Sequence, residues 1–205
     1  MIRQLASAFV LAAVLASPAV AQTPAATTAR VASTAPTWRI DASHSELTFR
    51  VRHLVSRVSG SFGEWSGSIV TEPNQFDQGS VQVAIKTASI HTGNARRDEH
   101  LRSDDFFDAA QHPEITFRSR RVEANGQDIR VHGDLTMRGV TKPVVLAGRY
   151  LGATKDGQGR ERIGFEAETK INRHDFGVSW NNLVEGSAVV GEEVTISMVV
   201  AAVRQ

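Results

Sequence analysis

Runs in which apolar and polar residues alternate recur along most of this 205-residue chain, and they constrain its fold before any motif is considered. Leu47, Phe49, Val51 and His53 share one parity, and Glu46, Thr48, Arg50 and Arg52 share the other. Successive side chains of an extended strand point to opposite faces, so this pattern describes a strand with one wet face and one covered face. The alternation returns in Val81, Val83 and Ile85, in Ile115, Phe117 and Ser119, and in Ile129, Val131, Gly133, Leu135 and Met137. It returns again in Val144, Leu146 and Tyr150, in Ile163, Phe165, Ala167, Thr169 and Ile171, and in Val194, Ile196, Met198 and Val200. The reading is all-β, with about eight strands joined by short turns such as Asn125-Gly126. An antiparallel sheet of that size must curl, split or close. A barrel removes both exposed edges, whereas a sandwich buries the same faces without an internal volume. Glycines at positions 60, 63, 67, 133, 148 and 164 favour strong curvature and hence a barrel, although periodicity alone leaves the sandwich open.

The segments that precede the ordered region are also legible. Arg3, the apolar run Leu5–Leu15 and Ala19-Val20-Ala21 read as a signal peptide spanning residues 1–21, and the run is too short for a stable membrane span. Residues 22–36 hold little but Ala, Thr, Pro and Ser, too few large side chains to offset the entropy of ordering, and read as a flexible leader. One domain is expected over residues 37–205. The chain has no cysteine, so it folds on its core without disulfides. Removing Arg3 from the 23 Lys and Arg leaves 22 against 22 Asp and Glu. That neutrality excludes a general polyanion binder, so no nucleic-acid partner is expected.

Between strands lies a different texture, His91–Arg118, dense in charge, histidine and aromatic residues. Asn94 is placed to cap a short helix from Ala95 to about Arg102, with Leu101 as its main apolar contact. Asp104-Asp105 ends it, Phe106-Phe107 supplies two rings, and His112-Pro113 leads into a strand near Glu114. A short polar helix with an aromatic anchor reads as a lid or plug on a sheet.

Chemistry-bearing motifs are weak by comparison. None of the seven histidines forms HExxH, and no cysteine can complete a mixed zinc site, so no metal is expected. Asp104, Asp105 and Asp108 lack the glycine and distal glutamate of a calcium loop; capping and turns explain them more simply. Ser43-His44-Ser45 sets a nucleophile-type residue beside a base, but adjacency is not triad geometry and there is no G-x-S-x-G elbow. Asp98 and Glu99 would act as acid or base only in a pocket; surface ion pairing is the plainer role. The apolar strand faces are more informative. In a filled barrel they are core; in a hollow one they line a cavity, where burial of about 0.8 kcal/mol per CH2 would hold a hydrocarbon chain.

Several motifs then fall in one order. Trp38-x-Ile40-Asp41-x-x-His44-Ser45 precedes Phe49-x-Val51-x-His53 and Gly60-Ser61-Phe62. Thr92, followed by Arg97-Asp98-x-His100-Leu101-Arg102-Ser103-x-Asp105-Phe106-Phe107-Asp108, leads to Pro113-x-Ile115-x-Phe117. Gly133-x-Leu135-Thr136-x-Arg138-Gly139-Val140-Thr141-Lys142-Pro143 and Asn172-Arg173-x-Asp175-Phe176-Gly177 complete the set before Gly191-x-x-Val194. From Trp38 to Arg204 the chain resembles the YceI-like family of bacterial periplasmic proteins.

The resemblance implies an extended lipocalin-like, eight-stranded antiparallel β-barrel with a short helical insertion, which holds a polyisoprenoid, an isoprenoid quinone-like lipid or a related amphiphile in an internal tunnel. Carried onto this chain, it implies Phe49, Val51, Phe62, Phe106, Phe117, Leu135, Phe165, Phe176 and Trp180 as lining or mouth residues, each of which would otherwise be ordinary core. It implies Arg97, Asp98, His100 and Asp105 as supports fixing the helical element to the barrel. The expected function is periplasmic binding of a long-chain isoprenoid or fatty amphiphile for storage or transport, with links to quinone metabolism or stress, no covalent chemistry and no cofactor beyond that lipid. A homodimer is compatible with the family, though no periodic exposed stripe marks its interface. The alternatives are a hydrolase or isomerase using His100 or Asp98 at the mouth, and a filled-barrel interaction protein linked to stress.

Overall fold

Asp41 shows how the sequence interrupts a strand without ending it. Its carboxylate accepts from the Ser43 amide at 3.2 Å and so caps a 3-10 turn over Ala42–His44. On either side lie β1 (Thr37–Ile40) and β2 (Glu46–His53), and both pair with the final strand of the chain, so they are two lengths of one stave. The computed structural model describes residues 35–181, 183–184 and 187–205. The signal-peptide reading and most of the leader reading fall on residues 1–34, outside that range. The leader's last residue is already engaged: the Pro36 carbonyl accepts from the Thr71 amide at 3.1 Å.

The next two staves are broken in the same way. β3 (Ser56–Phe62) and β4 (Trp65–Glu72) are separated at Gly63-Glu64, and β5 (Gln75–Lys86) and β6 (Ile90–His91) by a 3-10 turn over Thr87–Ser89. After the helix come β7 (Glu114–Asn125), β8 (Asp128–Met137), β9 (Val140–Lys155) and β10 (Glu161–Asn172). A 3-10 turn over Arg173–Phe176 and the small pair β11 (Leu183–Val184) and β12 (Ser187–Ala188) lead to β13 (Val190–Arg204).

Each stave is antiparallel to the next, and the ring runs β1-β4-β5-β7-β8-β9-β10-β13, closed by pairing of β13 with β1. Eight staves in a closed up-and-down meander form the barrel expected from the alternation, and closure leaves this ring no free edge. The sandwich, which periodicity left open, is not formed.

Bulges mark where simple parity fails. Between Ser119 and Arg121 the register of β7 on β8 shifts, and the Ser119 hydroxyl accepts from the Val81 amide at 2.8 Å. Opposite the Gly164/Phe165 step, β9 skips Leu151, which turns outward. The Gly63-Glu64 break resets parity, so Phe62 and Trp65 both face inward despite their spacing.

Apolar residues collect in two layers inside the staves. The layer nearer β1 contains Trp38, Ile40, Phe76, Tyr150 and Ile163, with the Trp38 indole N–H donating to the Thr71 carbonyl at 2.9 Å. The other contains Leu47, Phe106, Phe117, Met137 and Phe176. Among the described residues no helix is long and apolar enough to cross a membrane.

Candidate functional site

Inside the barrel the two layers do not fill the space between them. A cavity of about 240 Å³ runs along the interior, where a single water needs only about 10–15 Å³. It is therefore no packing defect. The inward residues of nearly every stave line it: Leu47, Phe49 and Val51 from β2, Val81, Val83 and Ile85 from β5, Val144 and Leu146 from β9, and Val194, Ile196 and Met198 from β13. Short side chains keep the middle open, since Gly148 on β9 and Ala167 on β10 stand opposite each other in register and both face the space.

One end is plugged by rings. Phe76 packs on Tyr150 and Phe165, with centroids 4.9 and 5.8 Å apart, above the buried Trp38. The other end is covered by the insertion. Its helix α1 (Ala95–Arg102) starts where the Asn94 side chain accepts from the Arg97 amide at 3.0 Å, as the sequence predicts. Leu101 on α1, together with Phe106 and Phe107 just beyond it, reaches the cavity. Phe107 meets Phe62 edge-on, and Phe62 in turn meets Phe49, so the lid is continuous with the wall.

The polar face of α1 is spent on holding that lid. Asp98 is buried, and its carboxylate accepts from both the amide and the hydroxyl of Thr92, at 2.8 and 2.5 Å, while His91 approaches at 3.2 Å. Burial alone would raise its pKa. The Thr92 hydrogen bonds, with the charges of His91 and Arg102, outweigh burial and hold the carboxyl below the ordinary carboxylate range. Arg97 donates to the hydroxyl and carbonyl of Thr92, and Arg102 to the carbonyls of Ala88 and Ile90. His100 pairs with Asp105 at 2.8 Å and stands edge-on to Phe106 and Trp180. From the barrel, Arg138 in the β8–β9 turn donates to the Phe106 carbonyl.

Seven of the nine expected lining residues, Phe49, Val51, Phe62, Phe106, Phe117, Leu135 and Phe165, lie on the cavity wall. Phe176 is instead buried in the lid-side layer, and Trp180 packs on Phe106 and His100 outside the wall. Arg97, Asp98, His100 and Asp105 all sit in the network around the lid. Of the Asn181–Gly186 stretch, residues 182, 185 and 186 lie outside those described. Asn181 itself brackets Val190, donating to its carbonyl and accepting from its amide.

Sequence reasoning gave no role to Arg173, which the structure places at the lid end of the wall, 4% exposed. Its guanidinium donates to the carbonyls of Gly191, Val178, Trp180 and Val190. Burial pushes its pKa down, yet arginine stays charged. It ties the end of β10 to the start of β13.

The wall is poor in chemistry. Arg149 and Glu166 border it with exposed side chains, and the donors of Arg173 go to carbonyls. Ser43, His44 and Asp41 do meet, far along the chain from the lid. There a single nitrogen, His44 Nδ1, faces both Asp41 at 2.9 Å and Ser43 at 3.1 Å. A relay needs the two ring nitrogens to divide those partners, so this is a capped turn and not a triad. Among the described residues no group of three or more His, Asp or Glu is placed to hold a metal ion.

The comparisons with known proteins agree with this geometry. Residues 38–202 match the model of the YceI-like domain. The chain is 37% identical over 166 residues to Protein YceI of Escherichia coli, covering 80% of this chain and 84% of that one. Among solved structures it resembles BcnA of Burkholderia cenocepacia, with TM-score 0.69 and 25% identity over 79% of this chain and 98% of that one. It also resembles a polyisoprenoid binding domain from Saccharophagus degradans, with TM-score 0.61 over 82% of this chain and 98% of that one, at 21% identity.

Proposed function

Because the chain belongs to the YceI-like family, we propose that it is a periplasmic carrier or store that holds a long isoprenoid or similar apolar chain in the barrel cavity beneath α1. The cavity carries this reading: its wall is apolar along the whole interior and offers a ligand little besides dispersion and release of water. A hydrocarbon chain suits such a wall. A sugar, nucleotide or peptide would leave its polar groups unpaired there, at a cost of several kcal/mol for each buried group.

The polyisoprenoid class is the one named for the Saccharophagus domain. At that identity the likeness lends the fold, and the ligand class is argued from the wall of this chain. Periplasmic placement rests on the signal-like residues 1–21. A link to quinone metabolism would follow if the ligand carries a quinone headgroup.

Binding fits the geometry better than catalysis. His100 and Asp98, the pair on which a hydrolase or isomerase would rely, are engaged with Asp105 and Thr92 and do not line the cavity. The test is mass spectrometry of an organic extract from the protein purified without detergent, beside uptake of a labelled polyprenol from a cyclodextrin complex. A stoichiometric polyprenyl or quinone species, or saturable uptake near one per chain, is the expected result. Trace heterogeneous lipid together with no uptake would overturn the proposal.

A further inference from the structure

The β2–β3 hairpin turns through Leu54 and Val55, with His53 opposite Ser56 in register. A two-residue connection of this kind normally takes Asn, Asp or Gly, because its backbone requires positive φ. Other tight turns keep to that rule at one position at least, with Asn74 between β4 and β5, Gly126 between β7 and β8 and Gly139 beside Arg138 between β8 and β9, all at positive φ. Here Leu54 is held at φ 50°, and Val55 beside it projects fully into solvent. Turn chemistry disfavours Leu54 and the hydrophobic effect disfavours the exposed Val55, while the tip is held in place by the Leu54 amide donating to the Val189 carbonyl at 2.8 Å. A local departure of that kind points to function.

The flanks of the tip are basic. Arg50, Arg52 and Arg57 are exposed, and the chain has no acid between Glu46 and Glu64. Ion pairs engage Arg120, Arg121, Arg160, Arg162 and Arg204, and none among the described residues involves these three. On the neighbouring β13 bulge Glu193 pairs with Lys170, and Glu192 accepts from the Asn172 side-chain amide and forms no ion pair with the three arginines. The β2 arm of the hairpin is paired with β13 as far as His53 opposite Val190, but its β3 arm is an edge. β3 meets β6 only through Ser61 and Phe62, so Ser56–Gly60 have no second neighbouring strand among the described residues. At its base, Phe49, Val51 and Phe62 line the cavity, and Phe62 touches Phe107 of the lid.

We propose that this hairpin is a membrane-docking element: Leu54 and Val55 insert among the headgroups of an anionic phospholipid bilayer, and Arg50, Arg52 and Arg57 bind the phosphates around them. An apolar tip ringed by cations matches such an interface, where burial and attraction to anionic lipid act together. Docking there would bring the lidded end of the cavity to the bilayer that supplies or receives the chain. The proposal rests on the lipid-carrier reading for its purpose, and on the hairpin alone for its geometry.

The test is vesicle flotation of the protein beginning at residue 22, so that the apolar Leu5–Leu15 segment cannot contribute. Vesicles of phosphatidylcholine alone are compared with equal mixtures of phosphatidylcholine and phosphatidylglycerol. Binding is expected to the mixed vesicles only and to weaken with salt. Val55→Asp should lower partitioning at least about tenfold, and Arg52→Gln or Arg57→Gln about fivefold each. Leu151→Ser, at an exposed leucine on β9, should change nothing. Equal binding to both vesicle types, or unchanged binding of Val55→Asp, would overturn the proposal. So would a Val55-dependent dimer in light scattering, which makes a second copy the occupant of the tip. Polyprenol uptake from cyclodextrin contains no bilayer. Its failure would strike the cavity reading, and failure of flotation with uptake intact would strike docking alone.

Discussion

Asp98 holds its carboxyl below the ordinary range against the upward push of burial, because Thr92 supplies an amide and a hydroxyl to its carboxylate. Its folded pKa lies below the ordinary value of about 4, so the stability it contributes is present above that value and is lost as pH falls through the folded pKa. Asp98→Ala leaves the Thr92 amide without its acceptor and should cost about 1–3 kcal/mol near neutral pH. The difference between wild-type and variant urea midpoints should shrink as pH is taken below about 4; a constant difference would mean that the charge plays no part. Gly60 is constrained differently. A methyl group there would sit 2.4 Å from Phe49 Cζ and 2.8 Å from the His91 carbonyl, since the Phe49 ring lies over the glycine from the paired position. Gly60→Ala should therefore cost about 1–3 kcal/mol in denaturant titration and push Phe49 off the wall. Neither environment can be read from sequence beyond the residue type. Arg173 shows the reason most plainly: its partners are four backbone carbonyls, which carry no mark in the sequence.

At the scale of elements, α1 is held to its surroundings more by polar contacts than by its own apolar face, for Leu101 is its one large apolar residue. The lid and the barrel can thus be loosened separately. Arg102→Ala removes the donors to the Ala88 and Ile90 carbonyls. The melting temperature should move by only a few degrees. Amide exchange across Ala95–Arg102 should rise, and release of a bound polyprenol should quicken several-fold. A large fall in melting temperature would mean that the helix is integral to the barrel. Elements were the most legible level of the sequence. Period-two runs marked the strands, and Asn94 and His112-Pro113 bounded the insertion, because these signals act over a few neighbouring residues. What escaped was the joint between elements. Phe62 and Trp65 share a face only because Gly63-Glu64 resets the pleat, and Leu54-Val55 carries no turn signal at all.

For the molecule as a whole, what alternation left open was whether closed staves enclose a core or a chamber, since the same inward residues serve either. Fill depends on the sum of side-chain volumes across staves distant in sequence, and the decisive positions are small ones, such as Gly148 facing Ala167. The two layers should therefore answer the same substitution differently. Ala167→Trp places a large ring in open space, so it should leave the unfolding free energy from urea titration within about 1 kcal/mol of wild type or raise it. Polyprenol uptake should disappear, because the ring occupies the path of the chain. Ile163→Trp puts the same ring beside Trp38 and Phe76 at a position only 2% exposed, and overpacking there should cost about 1–3 kcal/mol or more. Equal destabilisation at both positions would mean that the middle of the barrel is packed as tightly as its end. Tolerance at position 167 with uptake intact would put the ligand elsewhere on the molecule. Tolerance joined to loss of uptake is the outcome that ties the binding of a long apolar chain to the hollow of the barrel.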